Sequence, residues 1–313
     1  MSYTVTVKEE ISKLDNSPSE IIAELAGYIR NNSTIEKDTL KLSTENKFTI
    51  DRLLNSIKSQ FNVEGKVDII ENLNFSKKTL YQITIPIKNH NFLQQLGVYD
   101  ENNNYLDTVP NYIVGGNEEI RGYLRGVFAS VGSINDPKTS RYHMELMIPK
   151  KEEAVFVQKI LNIFELNAKI LSRDKGYMIY IKEAEKISDF LKILNANKAV
   201  MYYEDIRVYH DKKNNTNRLN NMEQANMDKV IETATIQLAD INVIEENDGL
   251  MLLDDKVKEV IIYRKKYPEA SLKELAEIIS LETGKSITKS GLSHRLKKIK
   301  ELANSFRKMN KQD

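Results

Sequence analysis

The side chains best suited to contacting a nucleic acid lie on one face of a segment near the C-terminus. At 100° per residue, a helix that begins near residue 288 separates an apolar stripe from a polar face. The polar face and its flanks carry Ser290, Ser293, His294, Arg295, Lys297, Lys298 and Lys300. Small polar side chains near a helix N-terminus reach base edges, while lysine and arginine bind phosphates. The pattern predicts a recognition helix for double-stranded DNA, with an ordinary lysine-rich solvated helix as the alternative.

The sequence in front of this segment contains the signals of two further helices. Ser271 and Glu274 match the S-x-x-E capping box. The apolar residues that follow at helical spacing are Leu272, Leu275, Ala276 and Ile279. Residues 257–267 form another helical pattern, which ends before Pro268. We therefore predict an all-α helix-turn-helix domain over residues 256–313, with a three-helix bundle that does not bind DNA as the alternative.

The net charge of +1 conceals an uneven distribution. Residues 256–313 contain 15 Lys and Arg against seven Asp and Glu, whereas residues 236–255 contain six acids and no Lys or Arg. A basic segment at one end of a chain is a sequence-level sign of nucleic-acid contact. The acidic segment suggests a second hypothesis, in which Glu245, Glu246 and Asp248 shield the basic domain in the absence of DNA.

Composition excludes several other chemistries. The absence of cysteine excludes disulfides, thiolate zinc sites, iron–sulfur clusters and cysteine nucleophiles. The four histidines, His90, His143, His210 and His294, show no metal-ligand spacing. P-loop, dinucleotide-binding and nucleophile-elbow motifs are missing as well, so we expect no cofactor and no metal ion. No apolar run is long enough to span a membrane and the N-terminus has no signal-peptide core, so we expect a cytoplasmic protein.

The first two-thirds of the chain contain an internal repeat. Residues 22–33 resemble residues 121–132, with Leu25 and Leu124 offset by 99 positions. Each segment is followed by similar strand and helix patterns, and the closing helices around Phe92 and Phe190 are offset by 98. We therefore predict an α+β fold in which an α-β-β-α-β-β-α unit occurs twice, over residues 1–105 and 106–205, followed by the helix-turn-helix domain.

A glycine stands in the middle of each repeated helix, at Gly27 and Gly126. Glycine in a helix interior costs about 1 kcal/mol relative to alanine. Close approach of two backbones is the usual compensation, because glycine has no Cβ. We predict that the two helices pack against each other at these glycines, on the pseudo-two-fold axis of the duplication. One chain then already supplies both members of the pair, which predicts a monomer.

The two helices resemble the LAGLIDADG helices of homing endonucleases, which cross at their glycines. In that family an acid near the C-terminal end of each helix binds the catalytic divalent metal. The matching positions of this chain are Asn32 and Val131, which cannot supply the carboxylate oxygens that such a cation requires. The resemblance therefore implies the fold without the nuclease reaction, and we expect no catalytic residue.

Residues 206–255 are predicted to form a connector, polar in its first half and acidic in its second. Asn-rich polar stretches are usually solvated linkers. The alternative is a second DNA contact, made through Asn217 and Arg218 to phosphates.

The combination of a degenerate LAGLIDADG duplication and a helix-turn-helix is similar to the WhiA family of bacterial regulators. Matching segments include residues 7–11, 124–128, 132–137, 142–145, 187–191, 217–226, 270–275 and 289–299. The resemblance implies a non-enzymatic, sequence-specific DNA-binding protein that is associated with the nucleoid. It further implies a transcription regulator with roles in cell division, chromosome segregation and, in spore formers, sporulation. Transcription or cell-division proteins are the implied protein partners.

Two other functions stay open at this stage. A protein-interaction scaffold of the division or transcription machinery is the main alternative. An active homing endonuclease is a more distant one, because it would need carboxylates where Asn32 and Val131 stand.

Overall fold

A computed structural model describes residues 2–36, 38–71, 79–87, 91–139 and 141–309, which form two compact units, Met1–His210 and Asp211–Asp313. The first repeat of unit 1 comprises helices α1 (Tyr3–Ser12), α2 (Pro18–Asn31), α3 (Lys47–Phe61) and α4 (Asn91–Gln95). Its strands are β1 (Ser33–Glu36), β2 (Thr39–Thr44), β3 (Lys66–Glu71) and β4 (Thr79–Pro86). The second repeat comprises α5 (Asn117–Val131), β5 (Gly132–Ile134), β6 (Met144–Ile148), α6 (Lys151–Ile163), β7 (Lys169–Arg173), β8 (Gly176–Ile181) and α7 (Ala184–Ile193).

The two repeats have the same sheet topology. The strands pair in the antiparallel orders β1-β2-β4-β3 and β5-β6-β8-β7. Alternate residues of the central strands, such as Leu40 and Leu42 of β2, are fully buried. They share one continuous core with α2, α5 and the remaining helices of the unit. The predicted α+β class and tandem duplication are confirmed.

Helix α1 precedes α2, the first of the two matching helices, and was not predicted. Tyr3, Val7 and Ile11 are all buried and recur every four residues, which places them on one helical face. Ser2 caps the helix by accepting a hydrogen bond from the backbone N–H of Val5. The periodic signal is therefore present in the sequence, but it consists of only three apolar residues.

Helix α8 runs without interruption over Asn197–Glu246, through most of the segment predicted as a connector. No glycine or proline occurs within it, which removes the strongest helix breakers. Residues 211–229 are exposed on every side, so this stretch has no apolar period that would reveal a helix in the sequence. For this reason the composition of residues 206–255 suggested a connector but did not reveal that most of it is helical.

Unit 2 continues with a 3₁₀ turn at Gly249–Leu252 and three helices, α9 (Asp255–Lys266), α10 (Leu272–Thr283) and α11 (Lys289–Met309). Ile241 and Ile244 of α8 are fully buried and belong to the same core as these three helices. The helical domain thus begins upstream of residue 256, where the change from acidic to basic composition had suggested a boundary.

Candidate nucleic-acid interface

Helix α10 begins and ends at the signals found in the sequence. The Ser271 side chain accepts a hydrogen bond from the Glu274 N–H at 3.2 Å, and the Glu274 carboxylate accepts one from the Ser271 N–H at 2.8 Å. Hydrogen bonds from the backbone N–H and then the side chain of Ser271 lower the pKa of the Glu274 carboxyl. At the other end, Gly284 adopts φ +70°, a left-handed conformation that terminates the helix. The capping box therefore fixes where α10 begins, and Gly284 fixes where the turn before α11 starts.

Helix α11 is seated on the core by its apolar stripe. Leu292, Leu296, Ile299 and Ala303 are buried, as the periodicity predicted. They pack with Val260 and Ile261 of α9 and with Leu275 and Ile279 of α10. The opposite face of α11 is consequently turned to solvent.

This solvent face, here called the reading face, begins at the first turn of α11. Its exposed side chains are Ser290, Ser293, His294, Lys297 and Lys300. The first three are small or planar donors and acceptors, and the two lysines lie further along the helix. Lys297 has only a loose ion pair with Glu301, at 3.8 Å with both side chains well exposed. The reading face therefore presents polar and cationic groups that are available to an outside partner.

Arg295 and Lys298 were predicted beside these residues, but each contacts the region of α9. Arg295 donates to the Lys256 carbonyl at 3.3 Å and lies 3.7 Å from Glu259. Lys298 binds the Asp254 carboxylate at 3.2 Å. The Val257 N–H and then Lys298 lower the pKa of the Asp254 carboxyl. Both cations thus have partners within the chain before any DNA is bound.

Other acids of the acidic segment are paired in the same way. Asp240 is buried and binds Arg307 of α11 at 2.6 Å. Glu245 binds Lys265 of α9 at 2.8 Å. Neither acid contacts a residue of the reading face, so these pairs tie the helices of unit 2 together. The shielding hypothesis fits Asp254, which was not among the acids first proposed, better than it fits Glu245.

Asn217 and Arg218, predicted in the connector, are exposed residues of α8. Their side chains are one position apart on a helix and therefore project about 100° from each other. The structure places them in unit 2 but gives them no contact with the reading face. A DNA contact through these two residues stays a prediction.

In unit 1, α2 and α5 approach each other at their glycines. A Cβ atom on Gly27 would lie 3.1 Å from the Val127 nitrogen and still closer to the Tyr123 carbonyl oxygen. One on Gly126 would lie 2.9 Å from the Tyr28 nitrogen and would overlap the Glu24 carbonyl oxygen. Gly122 is equally restricted, at 2.6 Å from the Glu20 oxygen, although the sequence comparison did not single it out. The helices meet backbone to backbone at these three positions.

The positions of the lost nuclease acids hold groups with structural contacts. The Asn32 amide donates to the Ser43 carbonyl at 2.8 Å and to the Tyr28 hydroxyl at 3.4 Å. Val131 is partly buried against the core of unit 1. In the part of the chain that the structure describes, no group of three or more His, Asp or Glu side chains is placed to hold a metal ion. His90 lies outside the described residues.

No sequence pattern identifies Arg264 as a residue that lines a surface cleft. Its side chain is only 1% exposed, in the core of unit 2. Lys229 and Lys289, which were also not singled out, line the same surface cleft as Arg264. These residues are up to 60 positions apart in the chain, so no local pattern could have grouped them.

Comparison with known proteins identifies the family. Three family models match successive parts of the chain: the WhiA N-terminal LAGLIDADG-like domain over residues 18–99, the WhiA LAGLIDADG-like domain over 120–213 and the WhiA C-terminal HTH domain over 216–303. A protein from Staphylococcus haemolyticus named "Probable cell division protein WhiA" is 37% identical over 98% of both chains. The chain belongs to the WhiA family. A WhiA protein of the same name from Enterococcus faecalis is 36% identical over 98% of this chain and 99% of the relative.

Solved WhiA structures share the fold. The full-length WhiA crystal structure from Thermotoga maritima covers 98% of this chain and 99% of its own, with a TM-score of 0.60 and 24% identity. The structure of the N-terminal LAGLIDADG domain of WhiA covers 61% of this chain and 89% of its own, with a TM-score of 0.50 and 23% identity. Among the described residues, no helix is both long and apolar enough to cross a lipid bilayer.

Proposed function

We propose that this WhiA protein is a non-enzymatic, sequence-specific DNA-binding protein whose reading face contacts double-stranded DNA. The observation that carries the proposal is the reading face itself. Its polar and cationic side chains are exposed on a helix whose opposite stripe is fixed in the core of unit 2. A helix of this kind fits the major groove, with its N-terminal side chains at base edges and its lysines at phosphates.

The first sheet of unit 1 is less suited to DNA than the reading face is. On the face of this sheet opposite its buried side chains, Lys41 binds Glu36 at 2.6 Å and Lys66 binds Asp68 at 3.0 Å. Cations that are already paired release fewer counterions from DNA and contribute less to binding. These pairs favour the reading face of α11 over this face of the first sheet as the site of DNA contact.

Lys297 provides the sharpest test of this proposal. We expect Lys297→Ala to weaken binding to a genomic duplex and to reduce the slope of log K against log salt by about one, as for the loss of one phosphate contact. Lys308→Ala is the matched control, because Lys308 is exposed near the other end of the same helix. Equal affinities and equal salt slopes for wild type and Lys297→Ala would contradict the proposal.

Sequence specificity is tested separately through Ser290 and Ser293. Chromatin immunoprecipitation should recover discrete genomic sites with wild type, and Ser290→Ala/Ser293→Ala should lose those sites while retaining nonspecific affinity. A loss of site selection with retained affinity is the signature of base contacts rather than phosphate contacts. Unchanged site occupancy by the double variant would assign specificity to other residues.

The absence of an enzymatic reaction is also part of the proposal. Support comes from Asn32 and Val131, which stand where the LAGLIDADG nucleases carry their metal-binding acids. Incubation of long duplex DNA with the protein and Mg²⁺ should yield no cleavage. Metal-dependent cleavage that is lost on mutation of unit 1 would overturn this part.

The cellular role that we propose is regulation of transcription in cell division and chromosome segregation, and in sporulation where the organism forms spores. The names of the relatives support the division role.

We further propose that the protein acts as a monomer on the nucleoid in the cytoplasm, because α2 and α5 already form the helix pair within one chain. If a chain that ends at residue 210 still supports normal cell division, that result would instead favour the scaffold function of unit 1. Sedimentation equilibrium measures the oligomeric state.

A further inference from the structure

A cationic cleft of about 270 Å³ lies on unit 2. Helices α8, α9, α10 and α11 all contribute to its walls. The polar groups in the walls are Lys229, Thr233, Arg264, Ser271, Lys273 and Lys289. Four of these residues are cations, and no carboxylate is among the residues that line the cleft. The cleft therefore has the electrostatic character of an anion site.

Among the residues that line the cleft, Arg264 is a buried cation with an unpaired hydrogen-bond donor. Its side chain is 1% exposed, and its Nη1 atom donates to the Ala270 carbonyl at 2.7 Å. Its Nε atom is buried without a hydrogen-bond partner among the described residues. Burial lowers the pKa of the guanidinium, which nevertheless remains protonated at neutral pH. A buried cation with an unpaired donor and no acid beside it is unfavourable unless an anion completes the site.

The start of α10 adds two backbone donors to the cleft. The first backbone bond of this helix runs from the Leu275 N–H to the Ser271 carbonyl at 2.8 Å, so the N–H groups of Leu272 and Lys273 have no acceptor in the helix. The Glu274 carboxylate is bonded to the Ser271 N–H and does not line the cleft. A helix N-terminus next to a buried arginine is suited to a phosphate group.

Cleft size restricts the ligand. Pockets that enclose whole organic ligands usually measure about 300–1,000 Å³. The cleft lies at the lower end of that range, so it has room for a phosphate group. Lys289 is the first residue of α11, which means that an occupied cleft contacts the start of the helix that bears the reading face.

We propose that this cleft is a phosphate-binding site, with Arg264 at its base and Lys229, Lys273 and Lys289 around it. The phosphate group belongs either to the DNA backbone or to a free phosphorylated ligand. The site itself does not depend on DNA binding by the reading face, whereas its occupation by a DNA phosphate rests on that proposed function.

The first arm of the test measures phosphate binding by the full-length protein without DNA. Titration calorimetry with inorganic pyrophosphate at low ionic strength should detect saturable binding to wild type. Lys229→Gln and Lys289→Gln should each weaken this binding by about tenfold. Lys285→Gln is the matched control, because Lys285 is exposed between α10 and α11 and does not line the cleft. Absence of saturable binding, or equal weakening by Lys285→Gln, would overturn the proposal.

The second arm identifies the source of the phosphate. Affinity for a genomic duplex is measured with and without pyrophosphate, with ionic strength held constant by chloride. If a DNA phosphate occupies the cleft, pyrophosphate should weaken DNA binding by wild type and have a smaller effect on Lys229→Gln. If DNA affinity is unchanged or increased by pyrophosphate, the cleft takes a free phosphorylated ligand. A wild-type protein that binds pyrophosphate but no DNA would overturn the proposed function and leave the phosphate site supported.

Discussion

Backbone contacts between α2 and α5 leave no room for a side chain at three glycines. Gly27 and Gly126 could be identified from the sequence, because a mid-helix glycine is costly and two of them recur at matching positions of a repeat. Gly122 could not be identified in this way, since the first repeat carries Ala23 at the equivalent place. Only the three-dimensional contact with the Glu20 carbonyl shows that a side chain is excluded there.

We expect Gly126→Ala to destabilise unit 1 by about 2–4 kcal/mol, since the added methyl group would overlap backbone atoms that cannot move independently. Urea unfolding followed by circular dichroism measures the change. Gly291→Ala is the control, because the nearest atoms to its added Cβ are in the side chains of Thr288, at 3.4 Å, and Ile287, at 3.8 Å, which is ordinary contact distance. That variant should gain up to about 1 kcal/mol from improved helix propensity. A neutral result for Gly126→Ala would mean that the two helices separate readily.

Lys8 of α1 is partly buried, with its Nζ atom 5.7 Å from the centre of the Phe128 ring. Burial lowers the pKa of this amine from 10.5 to about 8, although Glu45 opposes the change. At pH 7 the amine is charged in both the folded and unfolded states, so folding must bury a charge. A fall in pKa of this size corresponds to at most about 3 kcal/mol, and contact with solvent reduces the effect.

We therefore expect Lys8→Met to stabilise the protein by roughly 1–3 kcal/mol at pH 7. Between pH 8 and 10.5 the unfolded wild type binds more protons than the folded wild type, so the wild type gains stability as pH rises through this range. The advantage of Lys8→Met should accordingly shrink from pH 8 to pH 10. Unfolding curves at pH 7, 8, 9 and 10 measure it, with Lys47→Met at an exposed position as control. An advantage independent of pH would assign the gain to packing alone.

At the scale of elements, periodicity predicted most of the helices that pack, but it missed the short helix α1 and the exposed middle of α8. The stripe Leu292, Leu296, Ile299 identified α11 because a core-facing helix needs apolar residues at that spacing. The middle of α8 has no such requirement, because residues 211–229 contact no core. The angular positions of Arg295 and Lys298 were also predictable, but their partners on α9 were not, since these depend on how two helices pack.

The contact of Asp254 with Lys298 leads to a prediction for DNA affinity. Asp254→Asn should retain the cap of α9, because asparagine also accepts the Val257 N–H bond that Asp254 now accepts at 2.9 Å. The change removes a negative charge and frees Lys298. We expect DNA affinity at low salt to rise about twofold to fivefold, with little change in stability. Fluorescence anisotropy at 50 and 300 mM salt measures the effect.

The gain from Asp254→Asn should largely disappear at the higher salt concentration, because screening weakens the removed repulsion. Asp255→Asn is the control, since the Asp255 side chain is fully exposed and lies 3.8 Å from Lys258 rather than beside α11. Equal gains for both variants would indicate a general charge effect and would contradict a specific role for the ion pair with Lys298.

At the scale of the whole molecule, charge by segment predicted more than total charge did. The basic excess of residues 256–313 identified the unit that bears the reading face, although the chain as a whole is nearly neutral. Composition could not predict which basic residues the acidic side chains pair with. Asp240, Glu245 and Asp254 each bind a base of α9 or α11, so part of the basic excess is neutralised within unit 2.

Contacts between the two ends of unit 1 could not be predicted from the sequence either. The Glu10 carboxylate of α1 accepts hydrogen bonds from the Lys198 and Ala199 N–H groups at 2.7 and 2.9 Å. The Tyr3 hydroxyl donates to the Ala199 carbonyl at 2.8 Å. Glu10 thus caps the start of α8 from 188 residues away, and α1 joins the beginning of the unit to its end.

We expect Glu10→Gln to lower the free energy of unfolding of unit 1 by about 1 kcal/mol, because a neutral amide oxygen is a weaker acceptor for the N–H groups at a helix N-terminus than a carboxylate is. Glu9→Gln is the matched control: Glu9 is the preceding residue and forms only a surface pair with Lys13, so its loss should cost at most about 0.5 kcal/mol. Hydrogen exchange of the Lys198 and Ala199 amides distinguishes a local from a general effect. Faster exchange at these two amides in Glu10→Gln, and not in Glu9→Gln, is the expected result. Equal exchange in the two variants would show that the cap does not hold the start of α8.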